Sequence, residues 1–314
     1  MLDRAPATSR VCPSCRCGRL AQGRNQLNEG GHRIQIVVNP SAGRVRGSTL
    51  ARIRTGFERA GAQVVLTECG PGRPVTIAED VSHVCVMGGD GTIRHVAAAM
   101  LAAERDLPLS IYPAGTVNLA HRELRSPLDP DRYAAYALEN RERPRHHALR
   151  VGPALCLSCA SVGPDSQAVA AVSPRLKRRI GRLAYGVAFF RVLLNWPRKP
   201  IRIAWEAGEL TCEAVYVAKG RFFAGPWSFA PEADRTRPIM HVVALRTARR
   251  RDVVRFAWAL LRGRCPSDAA NLVAFSCTDL SVEADDSLPV QVDGDAEAVL
   301  PVRMTIEPIS FSVC

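Results

Sequence analysis

A turn rich in glycine, with one aspartate and one threonine, directly follows the apolar segment Val84-Cys-Val-Met87. Its residues are Gly88, Gly89, Asp90, Gly91 and Thr92. Glycines lack a Cβ and tolerate positive φ angles, so the backbone N–H groups of such a turn can point at a bound anion. Residues 93–103 are predicted to form a helix whose N-terminus adds a positive dipole end at the same place. The turn therefore suits phosphate and Mg²⁺, although an ordinary turn between a strand and a helix could have the same composition.

Two further loops of this kind occur in the first half of the chain. The first consists of Asn39, Pro40, Ser41, Ala42 and Gly43, and the second contains Gly115, Thr116 and Asn118 within the run from Pro113 to Asn118. Neither they nor the first turn have the Lys-Ser/Thr of a Walker A loop or the G-x-G-x-x-G spacing of a dinucleotide-binding turn. Any phosphate site must therefore be formed by several loops together.

Each of the three loops follows a predicted β-strand. Strands are predicted over residues 34–38, 63–67, 82–87 and 109–112, and helices over 50–60, 74–80, 93–103 and from Leu119 onward. This alternation favours a Rossmann-like α/β domain with a parallel sheet, in which ligands bind at the carboxyl ends of the strands. The three loops are expected to converge at that edge.

The second half of the chain has a different pattern, with short apolar strands at fairly regular intervals. They are predicted over residues 154–160, 201–206, 212–218, 240–245, 271–277, 280–284, 289–292 and 301–306. This spacing favours a β-sandwich or barrel-like domain. We therefore expect a disordered extension over 1–31, an α/β domain over 32–147, a β-sandwich over 148–300, and a C-terminal segment over 301–314 that can return to the first domain.

The composition points to an anionic partner. The net charge of +12 is compatible with a nucleotide, a nucleic acid or an acidic membrane surface. No aromatic-basic interleaving or helix-turn-helix pattern supports nucleic acid. No apolar window reaches the ~18 residues of a membrane span, and the N-terminus lacks the apolar region of a signal peptide, so we expect a cytoplasmic protein.

The eleven cysteines are odd in number and mostly lie in apolar runs, which favours buried free thiols over disulfides. Cys12, Cys15 and Cys17 differ because they lie together in a polar segment. A zinc site needs about four ligands, and only the distant His32 could be the fourth. We therefore prefer a leader outside the fold to a metal site.

In order and spacing the three loops resemble the diacylglycerol kinase catalytic domain family, which includes bacterial lipid kinases and the sphingosine kinases. The family pattern is Asn-Pro-x-x-Gly, then Gly-Gly-Asp-Gly-Thr, then Pro-x-Gly-Thr-x-Asn. The resemblance covers residues 33–313, and its further elements are Val162 to Asp165, Lys219 to Pro226, Ala230 to Ala233 and Val290 to Asp295. It implies a nucleotide-binding α/β domain, a C-terminal β-sandwich and catalysis in the cleft between them.

The resemblance also implies roles for individual residues. Residues 39–43 and Thr67 would line the nucleotide site, and residues 88–92 and 115–118 would hold the phosphates. Asp90 would coordinate a catalytic Mg²⁺ or orient the acceptor. The family's base is the Glu of Asp-Gly-Glu, which is Asp295 here, with Asp293 beside it. Phosphoryl transfer depends mainly on positioning and charge neutralisation, so no Walker lysine is needed.

Three positions depart from the family pattern. Asp295 is one methylene shorter than the family's Glu, and Arg94-His95 replaces the Asn-Glu that often follows the glycine turn. Arg237-Pro238 replaces an Asp-Gly pair that contributes to a structural Mg²⁺ site in many bacterial members. An arginine cannot ligate a cation, so we expect this second metal to be absent.

The expected activity is transfer of the γ-phosphoryl group of ATP, with Mg²⁺, to a hydroxyl of diacylglycerol or a sphingoid-type lipid at an anionic membrane surface. Two basic, apolar stretches, 175–199 and 249–264, would suit peripheral contact with that surface. An NAD kinase-like enzyme is the alternative, although its second motif usually carries Asn-Glu or Asn-Asp. A catalytically weak lipid-binding or regulatory protein is a third reading, and the sequence leaves a homodimer open.

Overall fold

The computed structural model describes residues 32–70, 72–139, 143–172, 183–195, 198–263 and 271–314. The predicted extension over 1–31, with Cys12, Cys15 and Cys17, lies outside these residues. So do parts of both basic stretches.

A four-stranded parallel sheet forms the first domain. Its strands are β1 (Arg33–Val38), β2 (Gln63–Glu68), β3 (His83–Gly88) and β4 (Leu109–Pro113), in the order β2-β1-β3-β4. The helices are α1 (Gly47–Arg59), α2 (Asp90–Ala102), α3 (Leu119–Leu124) and α4 (Pro130–Leu138). Ile53 and Phe57 of α1 and Tyr133 of α4 pack on one face of the sheet. Helix α2 packs on the other, so both faces are buried, as expected for a parallel sheet.

The predicted helix over residues 74–80 is wrong. The segment runs in an irregular conformation, and the side-chain amide of Gln35 holds it by donating to Thr76 O (2.8 Å) and accepting from Ala78 N (3.0 Å). Val75 and Ile77 pack onto the core beside the sheet. β-branched residues have restricted χ1 angles in a helix, and here the tertiary contacts decide the conformation.

The second domain consists of two six-stranded antiparallel sheets. Its strands are β5 (Arg145–Val151), β6 (Ala154–Cys156), β7 (Cys159–Val162), β8 (Ile201–Trp205), β9 (Gly208–Cys212), β10 (Ala214–Ala218), β11 (Met240–Leu245), β12 (Leu272–Cys277), β13 (Asp279–Glu283), β14 (Pro289–Val292), β15 (Asp295–Val299) and β16 (Val302–Ser312). One sheet has the order β12-β11-β10-β7-β14-β15 and the other β6-β5-β16-β13-β8-β9. The predicted combination of an α/β domain and a β-sandwich is confirmed.

Helices cover the outer face of the first of these two sheets. They are α6 (Leu183–Leu194) and α7 (Arg250–Leu261), while α5 (Pro164–Ala171) follows β7. Along β10, Val215 and Val217 point into the sandwich core, whereas Ala214 and Tyr216 point at the helices. Successive side chains of a strand face opposite sides, so β10 buries residues on both faces.

The two domains share part of one core. The predicted boundary between residues 147 and 148 falls inside β5, and Ala148 and Leu155 pack in the cluster that contains α2. Most of the segment 301–314 is β16, and at its end Cys314 N donates to Leu109 O of β4 (2.9 Å). These contacts fix how the sandwich presents its loops to the first domain.

Two further observations concern the cysteines and the helices. The seven described cysteines are free and buried. Within the described ranges, no helix is long and apolar enough to cross a membrane.

Candidate functional site

The three glycine-bearing loops meet at the carboxyl edge of the parallel sheet. The first loop (residues 39–43) follows β1, the second (residues 88–92) follows β3 and the third (residues 113–118) follows β4. These three strands are neighbours in the sheet order. Asn39 Nδ2 donates to Thr92 Oγ1 (3.2 Å), and Arg44 N donates to Ala114 O (3.1 Å). The first loop is therefore bonded to both of the others, in the arrangement that a ligand at this edge requires.

Two of the loops approach so closely that side chains are excluded. A Cβ on Gly115 of the third loop would lie 2.4 Å from Gly89 Cα of the second loop, and within the second loop a Cβ on Gly88 would lie 2.5 Å from Thr92 Cβ. Gly43 differs, since a Cβ there would have nothing within 4 Å. Glycine is thus a steric requirement where the second and third loops touch, and not in the first loop.

Asn118 closes the third loop. Its backbone is left-handed, with φ of 54°, and its side chain accepts from Gly115 N (2.9 Å) and donates to Gly115 O (3.0 Å). Asparagine tolerates this conformation better than most residues. Asn118 therefore shapes the loop, while Thr116 lies exposed at its tip.

The remaining residues predicted to line the nucleotide site lie along the same edge. Ser41 N donates to Asn39 Oδ1 (3.0 Å), which tightens the first loop, and Pro40 is exposed while Ala42 is half-buried. Thr67 is near the end of β2, and its hydroxyl accepts from Gln35 Nε2 (2.9 Å). Thr67 is thus on the edge strand, with its hydroxyl bonded to the protein.

Asp90 connects the second loop to the third. It is the first residue of α2, and its Oδ1 accepts from Ala120 N at the start of α3 (3.2 Å). Burial raises the pKa of Asp90, the amides of Leu119 and Ala120 oppose this, and the neighbouring Asp293 raises it further. The carboxylate thus lies among the converging loops and next to an acidic residue of the second domain.

Asp293 is held by backbone amides of the sandwich. It lies in the β14–β15 turn with φ of 50°. Its Oδ1 accepts from Ser158 N (2.8 Å) and Cys159 N (3.1 Å), and its Oδ2 accepts from Leu157 N (2.8 Å). A carboxylate with three amide donors is already satisfied by the protein. This geometry favours Asp293 as a residue that anchors the turn, and Asp295 as the carboxylate that faces the cleft.

Asp295 brings the sandwich into contact with the glycine turn. A Cβ on Gly91 would lie 2.8 Å from Asp295 Oδ2, so the two residues are in direct contact across the domains. The Asp295 side chain is 38% exposed. An acidic group from the second domain is therefore accessible at the edge where the three loops meet.

Arg94, one of the two residues that replace the family's Asn-Glu, forms hydrogen bonds between the two domains. It is buried on α2, and its Nη1 donates to Val292 O (3.0 Å). Its Nη2 donates to Glu297 and lies 3.7 Å from Asp295 Oδ2. The guanidinium thus bonds the first domain to both sides of the β14–β15 turn. Glu297 was not predicted from the sequence, because it is the extra residue of a bulge opposite Val290 and Gln291, where the alternation of β15 is interrupted.

A second ionic cluster joins the domains on another side of the cleft. Buried Arg235 pairs with Glu123 of α3 (2.9 Å) and donates to Ser158 Oγ (2.9 Å). Fully buried Lys219 donates from Nζ to the carbonyl oxygens of Asp234 (2.9 Å) and Arg237 (2.7 Å), and burial lowers the pKa of Lys219 to about 8. The ammonium group of Lys219 thus binds the carbonyl oxygens of residues 234 and 237. The resemblance associates this segment with a structural Mg²⁺ site.

Asp165 is a further acidic group near the site. Ser161 Oγ donates to its Oδ2 (2.5 Å), whereas its Oδ1 is buried without a hydrogen-bond partner. Burial raises the pKa of Asp165 to about 6. Burial raises the pKa of the Cys159 thiol well above its usual value, and the charges of Asp293, Asp165 and Asp90 raise it further.

The described residues contain no cluster of three or more His, Cys, Asp or Glu side chains suited to a metal ion. Mg²⁺ at nucleotide sites is usually bound by one or two carboxylates together with substrate phosphates and waters. Asp90, which lies in the glycine turn itself, is a carboxylate that could serve as such a ligand, and Asp295 faces the turn from the second domain.

Comparison with known proteins identifies the family. Residues 33–150 match the family model described as the diacylglycerol kinase catalytic domain, and residues 158–314 match the YegS C-terminal NAD kinase beta sandwich-like domain. The chain belongs to the diacylglycerol kinase catalytic domain family. The expected resemblance is confirmed over both domains.

Relatives of this kinase family align over most of the chain. A diacylglycerol kinase of Bacillus subtilis is 23% identical over 286 residues, which cover 86% of this chain and 91% of the relative. A probable lipid kinase YegS-like of Pseudomonas aeruginosa is 28% identical over 278 residues, or 87% of each chain. The solved structure of a putative diacylglycerol kinase from Bacillus anthracis has a TM-score of 0.71 at 17% identity and covers 90% of this chain and 98% of that one, which shows the shared fold.

Proposed function

We propose that this protein is an ATP-dependent lipid kinase that transfers the γ-phosphoryl group to a hydroxyl of diacylglycerol or a sphingoid-type lipid. One observation carries the proposal: Asp295 of the sandwich touches Gly91 of the glycine turn. A phosphate held by the turn and a hydroxyl oriented by Asp295 would then be neighbours. In-line transfer needs this juxtaposition above all.

The nucleotide is proposed to lie along the carboxyl edge of the sheet. Residues 39–43 and Thr67 would contact its base and ribose side, and the amides of residues 88–92 and 115–118 would face the phosphates. The N-terminus of α2 adds a partial positive charge there. The close packing of Gly89 against Gly115 keeps these amides in fixed positions, so little reorganisation is needed when the phosphates bind.

We propose that Asp90 would hold Mg²⁺ and that Asp295 would orient the acceptor. When bound, the metal would neutralise part of the phosphate charge. Asp295 would accept the proton of the attacking hydroxyl, and Arg94 Nη2, 3.7 Å from Asp295 Oδ2, would help to orient it from the other domain. Asp293 acts indirectly, by anchoring the turn that carries Asp295 to residues 157–159.

The acceptor is proposed to reach the cleft from an anionic membrane surface, with the protein in the cytoplasm and bound peripherally. The net charge of +12 favours such a surface. NAD is the competing acceptor, because the second domain matches a model described as NAD kinase beta sandwich-like. Lipid binding without turnover is the remaining alternative.

The test is a phosphoryl-transfer assay with γ-labelled ATP and Mg²⁺, in which diacylglycerol, sphingosine and NAD are offered separately in parallel with a buffer control. We expect label on a lipid, loss of transfer in Asp295→Asn, and transfer retained in Asp295→Glu. Label on NAD alone would contradict the lipid assignment. Stoichiometric lipid binding without label on any acceptor would favour a regulatory protein.

A further inference from the structure

An exposed apolar surface lies on the outside of the second domain, on α6 and α7. We call it the α6–α7 face. It consists of Val187, Phe190, Leu194, Val254, Trp258 and Leu261, each between 40% and 62% exposed. Six of the ten exposed large apolar side chains in the described ranges belong to it, so the exposure is concentrated on one surface and is not the usual scatter of single residues.

Both helices are apolar on two sides. On α7, Val253, Phe256 and Leu260 pack against the sheet, while the exposed stripe is offset from them. On α6, Phe189 and Leu193 pack inward, and Phe190 and Leu194 remain outside. The inward-facing apolar residues of both helices pack in the hydrophobic cluster over the sheet. The outward stripes, with helical spacings of three and four residues, have no packing role within the described chain.

The two stripes belong to one surface because the helices are neighbours. Arg250 of α7 donates from Nη2 to the carbonyl oxygen of Leu194 at the end of α6. Side chains from both helices also pack in one cluster over β10, β11 and β12. A partner that covers one stripe can therefore cover the other.

The charges around the α6–α7 face identify its partner. Arg191, Arg251, Arg255 and Arg262 are exposed beside the apolar residues, and the Arg262 guanidinium lies 4.6 Å from the ring centroid of Trp258. The acidic residue of α7, Asp252, accepts from Thr247 Oγ1 and Arg249 N at the helix start and pairs at 3.8 Å with Arg251, which leaves the other three arginines of the face without it. A second copy would bring like charges together, whereas anionic lipid headgroups would pair with the arginines above a buried apolar stripe.

We propose that the α6–α7 face docks on an anionic phospholipid bilayer, with Phe190 and Trp258 inserted at the headgroup boundary. This inference rests on the proposed lipid acceptor. Helix α5 packs against α6 and also against β14 and β15, which flank the turn that carries Asp295. The docked face therefore lies one helix away from the cleft, and docking would bring the cleft close to the bilayer.

The test is flotation of the full chain with phosphatidylcholine vesicles that contain or lack phosphatidylglycerol. We expect binding only to the anionic vesicles, with weaker binding at high salt. Phe190→Ser combined with Trp258→Ser should lower the affinity by roughly tenfold or more, because the apolar contribution to interfacial binding is lost. The matched control is Val299→Ser with Ile309→Ser, two exposed apolar residues outside the face, and it should bind like the parent.

Vesicle binding needs no ATP, so this test is independent of turnover. A protein that binds anionic vesicles but phosphorylates no lipid would contradict the proposed function alone. Equal losses in the test and control pairs would overturn the docking proposal, and so would undiminished binding in the test pair. A parent dimer that the Phe190 and Trp258 changes convert to a monomer would show that a second copy covers the face, and would also overturn it.

Should the test pair melt at a lower temperature, Arg251→Gln with Arg255→Gln probes the same face by charge alone and must weaken binding to anionic vesicles.

Discussion

Replacing Arg94 with methionine should weaken the contact between the two domains at the turn that precedes Asp295. The guanidinium is 3% exposed and bonds to Val292 O and Glu297, with Asp295 3.7 Å away. Methionine retains most of the apolar volume and removes both hydrogen bonds. Glu297 and Asp295 would then keep their negative charges next to each other without the cation between them.

The size of the effect follows from burial. Breaking a fully buried ion pair costs about 3–5 kcal/mol. Glu297 is 30% exposed, so water can partly replace the guanidinium, and we expect about 3 kcal/mol, or a fall in Tm of roughly 4–6 °C for a chain of this length. A displacement of Asp295 by about 1 Å would also lower kcat by on the order of a hundredfold. Nucleotide affinity should change little, because Arg94 makes none of the contacts among the three loops.

The assay is a double-mutant cycle with Arg94→Met and Glu297→Gln, in which Tm, nucleotide affinity and kcat are measured for all four proteins. A positioning role predicts a coupling of at least about 1 kcal/mol between the two residues, and a loss in kcat that exceeds any loss in nucleotide affinity. Additive effects within about 0.5 kcal/mol, together with an unchanged kcat, would refute the reasoning.

Three more expectations follow from local geometry. Gly115→Ala should destabilise the protein by about 1–3 kcal/mol and abolish nucleotide binding, because its Cβ would lie 2.4 Å from Gly89 Cα; Gly43→Ala, which meets open space, is the control, and equal thermal melting of the two variants would contradict the account. Asp165 has a pKa raised from 3.8 to about 6, so the folded state keeps a proton that the unfolded state loses, and stability should fall as pH rises between those values and then level off. Asp165→Asn should remove that pH-dependent loss of stability, which is of order 2–3 kcal/mol. If the Tm of Asp165→Asn minus the Tm of the parent does not increase with pH over this range, the result would count against the burial of the carboxyl group. Asp90→Asn should abolish turnover with the fold intact by circular dichroism, and near-parent turnover would remove Asp90 from the proposed machinery.

The parts of the structure that the sequence could predict are those determined by local patterns. The β-branched runs predict β1, β3 and β4 within a residue or two, and the glycine motifs that follow them come together as parallel-strand geometry requires. Most strands of the sandwich were recognisable from their spacing, but β5, β9 and β15 were not predicted because their sequences are polar, and the single strand predicted over 154–160 is divided between β6 and β7.

The parts that could not be predicted depend on pairings distant in the chain. Arg94 read as a departure from the family because its partner Glu297 is 203 residues away. Asp293 and Asp295 could not be told apart by residue type, and only the amides of residues 157–159 show that Asp293 anchors the β14–β15 turn. Residues 74–80 were predicted as a helix because the bonds from Gln35 that hold them in another conformation carry no local signal.

The central claim is that Asp295, presented by the sandwich, orients and deprotonates the lipid hydroxyl that attacks a phosphoryl group held by the glycine turn of the other domain. It is tested most directly by measuring ATP affinity and single-turnover phosphoryl transfer to lipid in the parent and in Asp295→Asn. We predict parent-like ATP affinity and a loss of transfer of at least about a hundredfold, the lower end of the range for removal of a positioned proton acceptor. Transfer at the parent rate in Asp295→Asn would contradict the account.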